Sequence, residues 1–175
     1  MKQFVISKFY LRFVTCFLTF VFSIAIVFAH KIYINRQGVF NNAAWGGNVK
    51  LMKLVTLLGV DVDSSACEYE TCPAPIVLAA WYGKDEAVLY LLDKGADVNN
   101  KRNWEKTALM MAAFNGNEKT VKLLLSKGAD VTIRANISIR DEVKSNENTG
   151  ETALDWAELR QHTKIIQLLR DAEAK

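Results

Sequence analysis

The sequence predicts an all-α protein built from repeated pairs of short helices. The first observation is the stretch at residues 107–130, TALMMAAFNGNEKTVKLLLSKGAD, in which apolar residues recur at helical spacing. Thr107 is suited to cap the first helix through its hydroxyl. Gly116 and Gly128 are suited to end the two helices, because glycine enters the left-handed cap conformation without a Cβ clash. The second observation is that this unit recurs along the chain.

The unit is too small to fold alone. Leu109, Ala112 and Ala113 predict one narrow apolar face on its first helix. Val121 and Leu124, with Leu125, predict another on the second. Since one such pair buries little apolar surface, stacking on further copies is required for stability.

Three further copies share the frame. Ala112 has a counterpart 33 residues earlier in Ala79, a second at Ala43, and a third 45 residues later in Ala157. The first and last copies match less well than the two between them. The repeats are expected at about residues 37–66, 74–101, 107–134 and 152–175.

The two inner copies, LAAWYGK…LYLLDKGADVN and MAAFNGN…KLLLSKGADV, resemble the ankyrin repeat. That repeat has a period of about 33 residues and the fingerprint T-P-L-H-x-A. The fingerprint histidine is absent, and Asn41, Val77, Met110 and Asp155 stand in its place. The resemblance implies a solenoid of four helix-turn-helix repeats with short hairpin loops and a concave groove.

Composition excludes several classes of protein. Half of the 175 residues are hydrophobic and 23% are charged, as in globular domains. Removing Lys2, Lys8 and Arg12 from the 22 basic residues leaves 19, which equals the 19 acidic residues. A body without net charge argues against nucleic-acid binding.

The N-terminus is predicted to be an export signal. Its basic residues precede residues 13–29, which carry no charge, and cleavage after Ala29 is compatible with the small residue there. A retained single-pass anchor is the alternative, although 17 residues span only about 26 Å as a helix against a hydrocarbon core of about 30 Å. A buried core helix is a third interpretation.

Export or anchoring places the repeats outside the cytoplasm, because positive residues stay inside. The expected localisation is periplasmic or secreted, or else anchored to the inner membrane. The predicted domains are residues 1–29 as signal or anchor, 30–36 as a tether and 37–175 as the repeat domain.

Two irregularities interrupt the repeats. Cys67 and Cys72 flank the loop between the first two copies and could pair in an oxidising compartment, which would stabilise the fold by about 2 kcal/mol. Two unrelated thiols are the alternative. The spacing between the third and fourth copies is 12 residues longer than the 33-residue period. This insertion, within residues 133–148, predicts either an extended hairpin or a surface loop.

No catalytic, metal-binding or cofactor-binding motif is present, so we predict that the protein is not an enzyme and needs no cofactor or metal. The chain has two histidines. His30 lies beside the N-terminal segment, and His162 follows the inter-helix turn of the last repeat, where a structural role is expected.

The remaining candidate is a binding surface. In an ankyrin stack, the two residues before the inter-helix glycine face the groove, and here the first of the two is a large apolar residue in every repeat: Trp45, Trp81, Phe114 and Leu159. Such anchors are typical of protein interfaces. The alternative is that the rings pack on one another and only stabilise the stack. The candidate partner-binding residues are Trp45, Trp81, Tyr82, Lys101, Trp104, Lys106, Phe114, Asn115 and Arg160.

The sequence therefore predicts an exported, non-enzymatic ankyrin-repeat protein that binds another protein. Its partner could be an envelope enzyme, or a toxin that it neutralises as an inhibitor or immunity protein. A membrane-tethered structural spacer or a homo-oligomer is the alternative of a different class. Contact with a membrane is expected only through the N-terminal segment, if that segment is retained.

Overall fold

The computed structural model describes residues 2–64, 73–101, 105–135 and 151–174. The chain divides into two compact units, residues 1–35 and residues 36–175. Cys67, Cys72 and Trp104 lie outside the described residues, as does most of the insertion before the last helix pair. The possible disulfide, and the choice between an extended hairpin and a surface loop for the insertion, therefore stay predictions.

A single long helix, α1 (Lys2–Gly46), begins in the first unit and ends in the second. Residues 30–36, which the sequence predicts to be a tether, are helical. Within the part of the chain that the structure describes, no helix combines the length and apolar character needed to cross a membrane.

The second unit continues with seven short helices. They are α2 (Val49–Thr56), α3 (Pro75–Trp81), α4 (Asp85–Asp93), α5 (Ala108–Phe114), α6 (Glu118–Ser126), α7 (Ala153–Leu159) and α8 (Thr163–Glu173). The described residues include no β-strand, in agreement with the predicted all-α class.

The helices stack as pairs. The first helices of successive pairs pack in the order α3, α5, α7, and the second helices pack in the order α2, α4, α6, α8. Small residues allow this close approach, since Ala79, Ala80, Ala112 and Ala113 are all fully buried. Their burial joins the pairs into one continuous hydrophobic core.

The first helix of the third pair is more deeply buried than its sequence pattern predicts. The sequence predicts only a narrow buried face, formed by Leu109, Ala112 and Ala113. That prediction of its width is wrong, because all of the first six residues of α5 are buried. Neighbouring pairs cover α5 from both sides, and periodicity within one helix does not report that second neighbour. The helix is therefore enclosed between α3 and α7.

The predicted N-cap of α5 and the predicted glycine ends of α5 and α6 are confirmed. The Thr107 hydroxyl accepts a hydrogen bond from the Met110 N–H at 3.3 Å and so caps α5. Gly116 and Gly128 adopt the left-handed conformation, with φ values of 75° and 82°. Gln161 occupies the corresponding turn of the last pair with φ 59°, although it carries a side chain.

The C-terminal end of the stack is polar. Glu158 and Arg170 are exposed, and their side chains form an ion pair at 2.8 Å. The exposed positions of α8 also include Lys164 and Gln167. Because this face meets water rather than another helix pair, polar side chains suit it.

Candidate functional site

The ends of the first helices are held in place by side chains from the following pair. Asn117, which precedes α6, donates hydrogen bonds from Nδ2 to the carbonyl oxygens of Ala80 and Trp81, each at 2.9 Å. These carbonyls lie at the C-terminal end of α3, beyond the regular helical hydrogen bonds, and the Ala80 oxygen also accepts from the Gly83 N–H at 3.2 Å. The bonds therefore fix Trp81 and its neighbour Tyr82 relative to the third pair.

His162 makes the same kind of connection one pair later. Its Nε2 lies 3.1 Å from the carbonyl oxygen of Phe114, at the end of α5. Since a carbonyl oxygen only accepts, the proton of this hydrogen bond belongs to Nε2. The structural role expected for His162 is confirmed.

Among the described residues of the second unit, the most exposed aromatic side chains lie at the first-pair end of the stack. Trp45 is 50% exposed and Tyr82 is 48% exposed. Their rings meet edge to face, with centroids 5.7 Å apart and planes inclined by 73°. Such a pair is stable by about 0.5–1.5 kcal/mol beyond its area burial and still leaves apolar surface open to solvent.

Trp81 has a divided role. Its ring stacks on Tyr82, with centroids 6.2 Å apart and planes inclined by 19°, and it is also packed in part against the core. The alternative interpretation, that the rings only stabilise the stack, therefore applies to the part of the Trp81 ring that packs against the core. Tyr82 remains the more exposed of the two.

A second aromatic cluster lies between the third and fourth pairs. Phe114 contacts Trp156 edge to face, with ring centroids 5.2 Å apart. The Arg160 guanidinium carbon lies 4.6 Å from the Phe114 centroid, and Lys106 Nζ lies 5.1 Å from the Trp156 centroid. Both cations are within the range of a cation–π interaction.

Trp156 is the residue that sequence analysis missed. It is only 4% exposed, and its Nε1 lies buried without a hydrogen-bond partner. Its position in the last repeat corresponds to that of Met111, which is also buried. The correspondence with Met111 was the signal in the sequence that could have identified Trp156. It predicts a side chain that faces the core, one helical turn before the positions that face the groove.

The polar candidates are engaged locally. Lys101 pairs with Glu105 at 3.7 Å, and the Asn115 amide donates to the Met111 carbonyl at 3.2 Å. Exposed ion pairs of this kind contribute little stability.

We call the four rings Trp45, Trp81, Tyr82 and Phe114 the aromatic surface. It is exposed at Trp45 and Tyr82 and half-buried at Trp81 and Phe114.

The loops that follow the second helices are linked from pair to pair. The Asp63 carboxylate accepts a hydrogen bond from the Asp97 N–H at 3.1 Å, and the Asn99 side-chain oxygen accepts one from the Asp130 N–H at 2.9 Å. Within the last of these loops, hydrogen bonds from the hydroxyl and the N–H of Thr132 hold the pKa of Asp130 below its ordinary value. These links keep the loops in register with the helices.

No group of three His, Cys, Asp or Glu side chains in residues 2–64, 73–101, 105–135 and 151–174 is placed to hold a metal ion. Helix pairs stacked in register, with glycine turns and linked loops, define a helical repeat protein. A sequence model of the family described as ankyrin repeats (3 copies) matches residues 40–135, more than half of the chain. The protein belongs to the ankyrin-repeat family. A search of curated proteins found no significant match.

Ankyrin repeats are generally protein–protein interaction modules and are typically non-enzymatic. The family model covers the first three helix pairs, and the fourth pair, α7 and α8, packs on α5 and α6 in the same order.

Proposed function

We propose that this protein binds a partner protein through the aromatic surface. The observation that carries the proposal is the contact between Trp45 and Tyr82, two large rings that remain about half exposed. Large aromatic side chains at the surface are favourable binding anchors, because burying them releases much water for little loss of side-chain entropy. The hydrogen bonds from Asn117 hold the end of α3 in place before a partner arrives, which lowers the ordering cost of binding.

The fourth helix pair extends this surface under the proposal. We treat α7 and α8 as a fourth repeat, so that the repeat domain comprises residues 37–175 and residues 30–36 link it to the N-terminal segment. Arg160 then adds a positive charge beside Phe114, at the opposite end of the surface from Trp45. Lys101, Lys106 and Asn115 supply polar contacts around it.

Export is part of the same proposal. Residues 1–29 combine three basic residues with an uncharged run and no acidic residue, which supports secretion of the repeats to the periplasm or beyond. N-terminal sequencing of the protein isolated from fractionated cells tests this point. A mature chain that begins at His30 supports a cleaved signal, and cytoplasmic recovery of the intact chain contradicts export.

The proposed activity is binding alone. Neutralisation of a toxin remains a more specific form of it, which a toxin among the captured partners would support.

The binding proposal is tested with Trp45→Ala and Tyr82→Asn combined in one chain. Asparagine is the natural residue at the corresponding position of the next repeat, Asn115, so it suits the local backbone. The matched control is Leu89→Lys on α4, an exposed apolar residue that corresponds to Lys122 of α6.

Partners are captured from cell-envelope extract by the wild type and both variants. We expect the aromatic double variant to lose about 1,000-fold in affinity for its partner, because two hot-spot residues that contribute about 2 kcal/mol each remove about 4 kcal/mol of binding free energy. Leu89→Lys should retain it. Retained binding by the double variant, with unchanged thermal stability, contradicts the proposal.

A further inference from the structure

The second helix of the first pair and the turn after it expose three leucines, Leu54 within α2 and Leu57 and Leu58 directly after its last residue. Leu54 is 59% exposed, Leu57 is 84% exposed and Leu58 is 52% exposed. They do not hold the stack together, because Met52 and Val55 supply the buried side of α2. The three leucines therefore form an open face, which we call the leucine face.

The positions that correspond to Leu57 and Leu58 in later repeats are polar, whereas those that correspond to Leu54 are Tyr90 and Leu123. Asp93 and Ser126 correspond to Leu57, and Lys94 and Lys127 correspond to Leu58. All four of these residues are exposed. The repeat fold therefore does not require an apolar residue at these two positions, and the presence of Leu57 and Leu58 there needs another explanation.

The leucine face is surrounded by positive charge. Lys50 and Lys53 are exposed on the same helix, and exposed Arg36 donates a hydrogen bond from Nη1 to the Leu58 carbonyl at 3.2 Å. The first 60 residues contain no Asp or Glu. In α6, by contrast, Lys122 occupies the position of Lys53 and pairs with Glu118 at 2.6 Å. The cations around the leucine face have no such acidic neighbour on their own helix.

We propose that the leucine face binds the surface of an anionic lipid bilayer. Leucine side chains would enter the boundary between headgroups and acyl chains, while Lys50, Lys53 and Arg36 would remain beside the phosphates. The position of the leucine face in the sequence supports a bilayer as its partner. The uncharged run at residues 13–29, which is the candidate signal or anchor, ends only seven residues before Arg36. This site is separate from the aromatic surface and does not depend on the proposed partner.

Charge argues against a second copy as the occupant. A symmetric dimer through this face would bring the same cations of both copies together. Residues 49–60 provide no carboxylate to compensate for that repulsion, and the carboxylate of Asp61, the next residue, already accepts a hydrogen bond from the Asp63 N–H. Anionic headgroups supply the missing negative charge.

The test reads the local environment of α2 in the whole chain with the N-terminus that cells leave on it. The three native cysteines are replaced by serine, and an environment-sensitive fluorophore is attached through Leu57→Cys. The matched control carries the fluorophore through Ser126→Cys, at the same place in the third repeat. Both proteins are mixed with vesicles of phosphatidylcholine alone or with added phosphatidylglycerol.

We expect a blue shift of the label at position 57 with phosphatidylglycerol vesicles and none of the label at position 126. Adding Leu58→Lys should weaken this response about ten-fold or more, since burial of one leucine is lost. Lys50→Glu combined with Lys53→Glu should also weaken it, and so should high salt. Unchanged circular dichroism shows that the variants remain folded.

Two results overturn the proposal. In the first, the fluorescence of the label at position 57 does not shift although phosphatidylglycerol vesicles are present in excess. In the second, the label at position 126 shows the same blue shift as the label at position 57. A blue shift without vesicles that grows with protein concentration would identify a second copy as the occupant and equally contradict lipid binding.

Discussion

The side-chain nitrogen of Asn117 lies 2.9 Å from the carbonyl oxygen of Trp81, across the junction between the second and third helix pairs. The same nitrogen reaches the Ala80 oxygen. One side chain thus satisfies two carbonyls at a helix end and aligns two repeats. Its position also explains why the turn before α4 contains Gly83, since a Cβ there would lie 2.9 Å from the Asn117 Oδ1.

Asn117→Ala should destabilise the stack by about 1–3 kcal/mol, because two partly buried hydrogen bonds, to the Ala80 and Trp81 carbonyl oxygens, are lost. Chemical denaturation measures the change. Asn115→Ala is the control, since its amide bonds only within its own helix. Equal losses of stability in the two variants would show that the junction bonds are unimportant.

Gln161→Gly should stabilise the protein by about 1 kcal/mol. Gln161 has φ 59°, where a residue with a Cβ is disfavoured and glycine is not. Arg160→Gly is the control, because its φ of −96° gives glycine no advantage. Thermal unfolding should separate the two variants in opposite directions. A Gln161→Gly variant that melts at a lower temperature than the wild type would contradict this account.

Gly116→Ala should be more destabilising than Gly128→Ala. Both glycines have positive φ, so each alanine incurs a backbone cost of about 1 kcal/mol. Only the Cβ at position 116 would meet another group, the His162 ring carbon Cε1 at 2.8 Å, whereas nothing lies within 4 Å at position 128. Denaturant unfolding of both variants measures the difference.

A double-mutant cycle isolates the clash. Gly116→Ala combined with His162→Ala should cost less than the sum of the two single substitutions, because the shortened side chain no longer blocks the new Cβ. Strict additivity would show that the backbone conformation alone accounts for the loss.

Thr132→Val should raise the pKa of Asp130, because the hydroxyl bond contributes most to lowering it. A carboxylate whose folded pKa lies below its unfolded value of about 3.9 stabilises the protein above that pH. This stabilisation is lost as the pH falls through the folded pKa. Carboxyl NMR titration measures the shift, and Thr132→Ser should leave it nearly unchanged. A pKa that is the same in wild type and Thr132→Val would exclude the hydroxyl as its cause.

Local signals in the sequence predicted local structure well. Thr107 and Gly116 were correctly assigned because a helix cap depends on the side chain and backbone of a few adjacent residues. The spacing of Ala79 and Ala112 likewise predicted two equivalent buried helices.

The candidate site was only partly predictable. Periodicity identified Trp81 and Tyr82 as neighbours at one helix end, but it did not reveal that Trp81 is the more buried of the two. That difference depends on which side chains of the adjacent pairs lie against each ring. The exposed leucines of α2 were missed for the same reason, since an apolar residue on a short helix is ordinarily expected in the core.

The order of residues along the chain was sufficient to define repeats, helix ends and family, because each depends on contacts within one unit or on its recurrence. Exposure was decided elsewhere, by the packing of one pair on the next. Trp156 is enclosed and Leu57 is open to solvent, although both are large apolar side chains, one within a short helix and one at the end of a short helix. Burial is a property of neighbours that are distant in sequence, so only the folded stack distinguishes a side chain that fills the core from one that is available for binding.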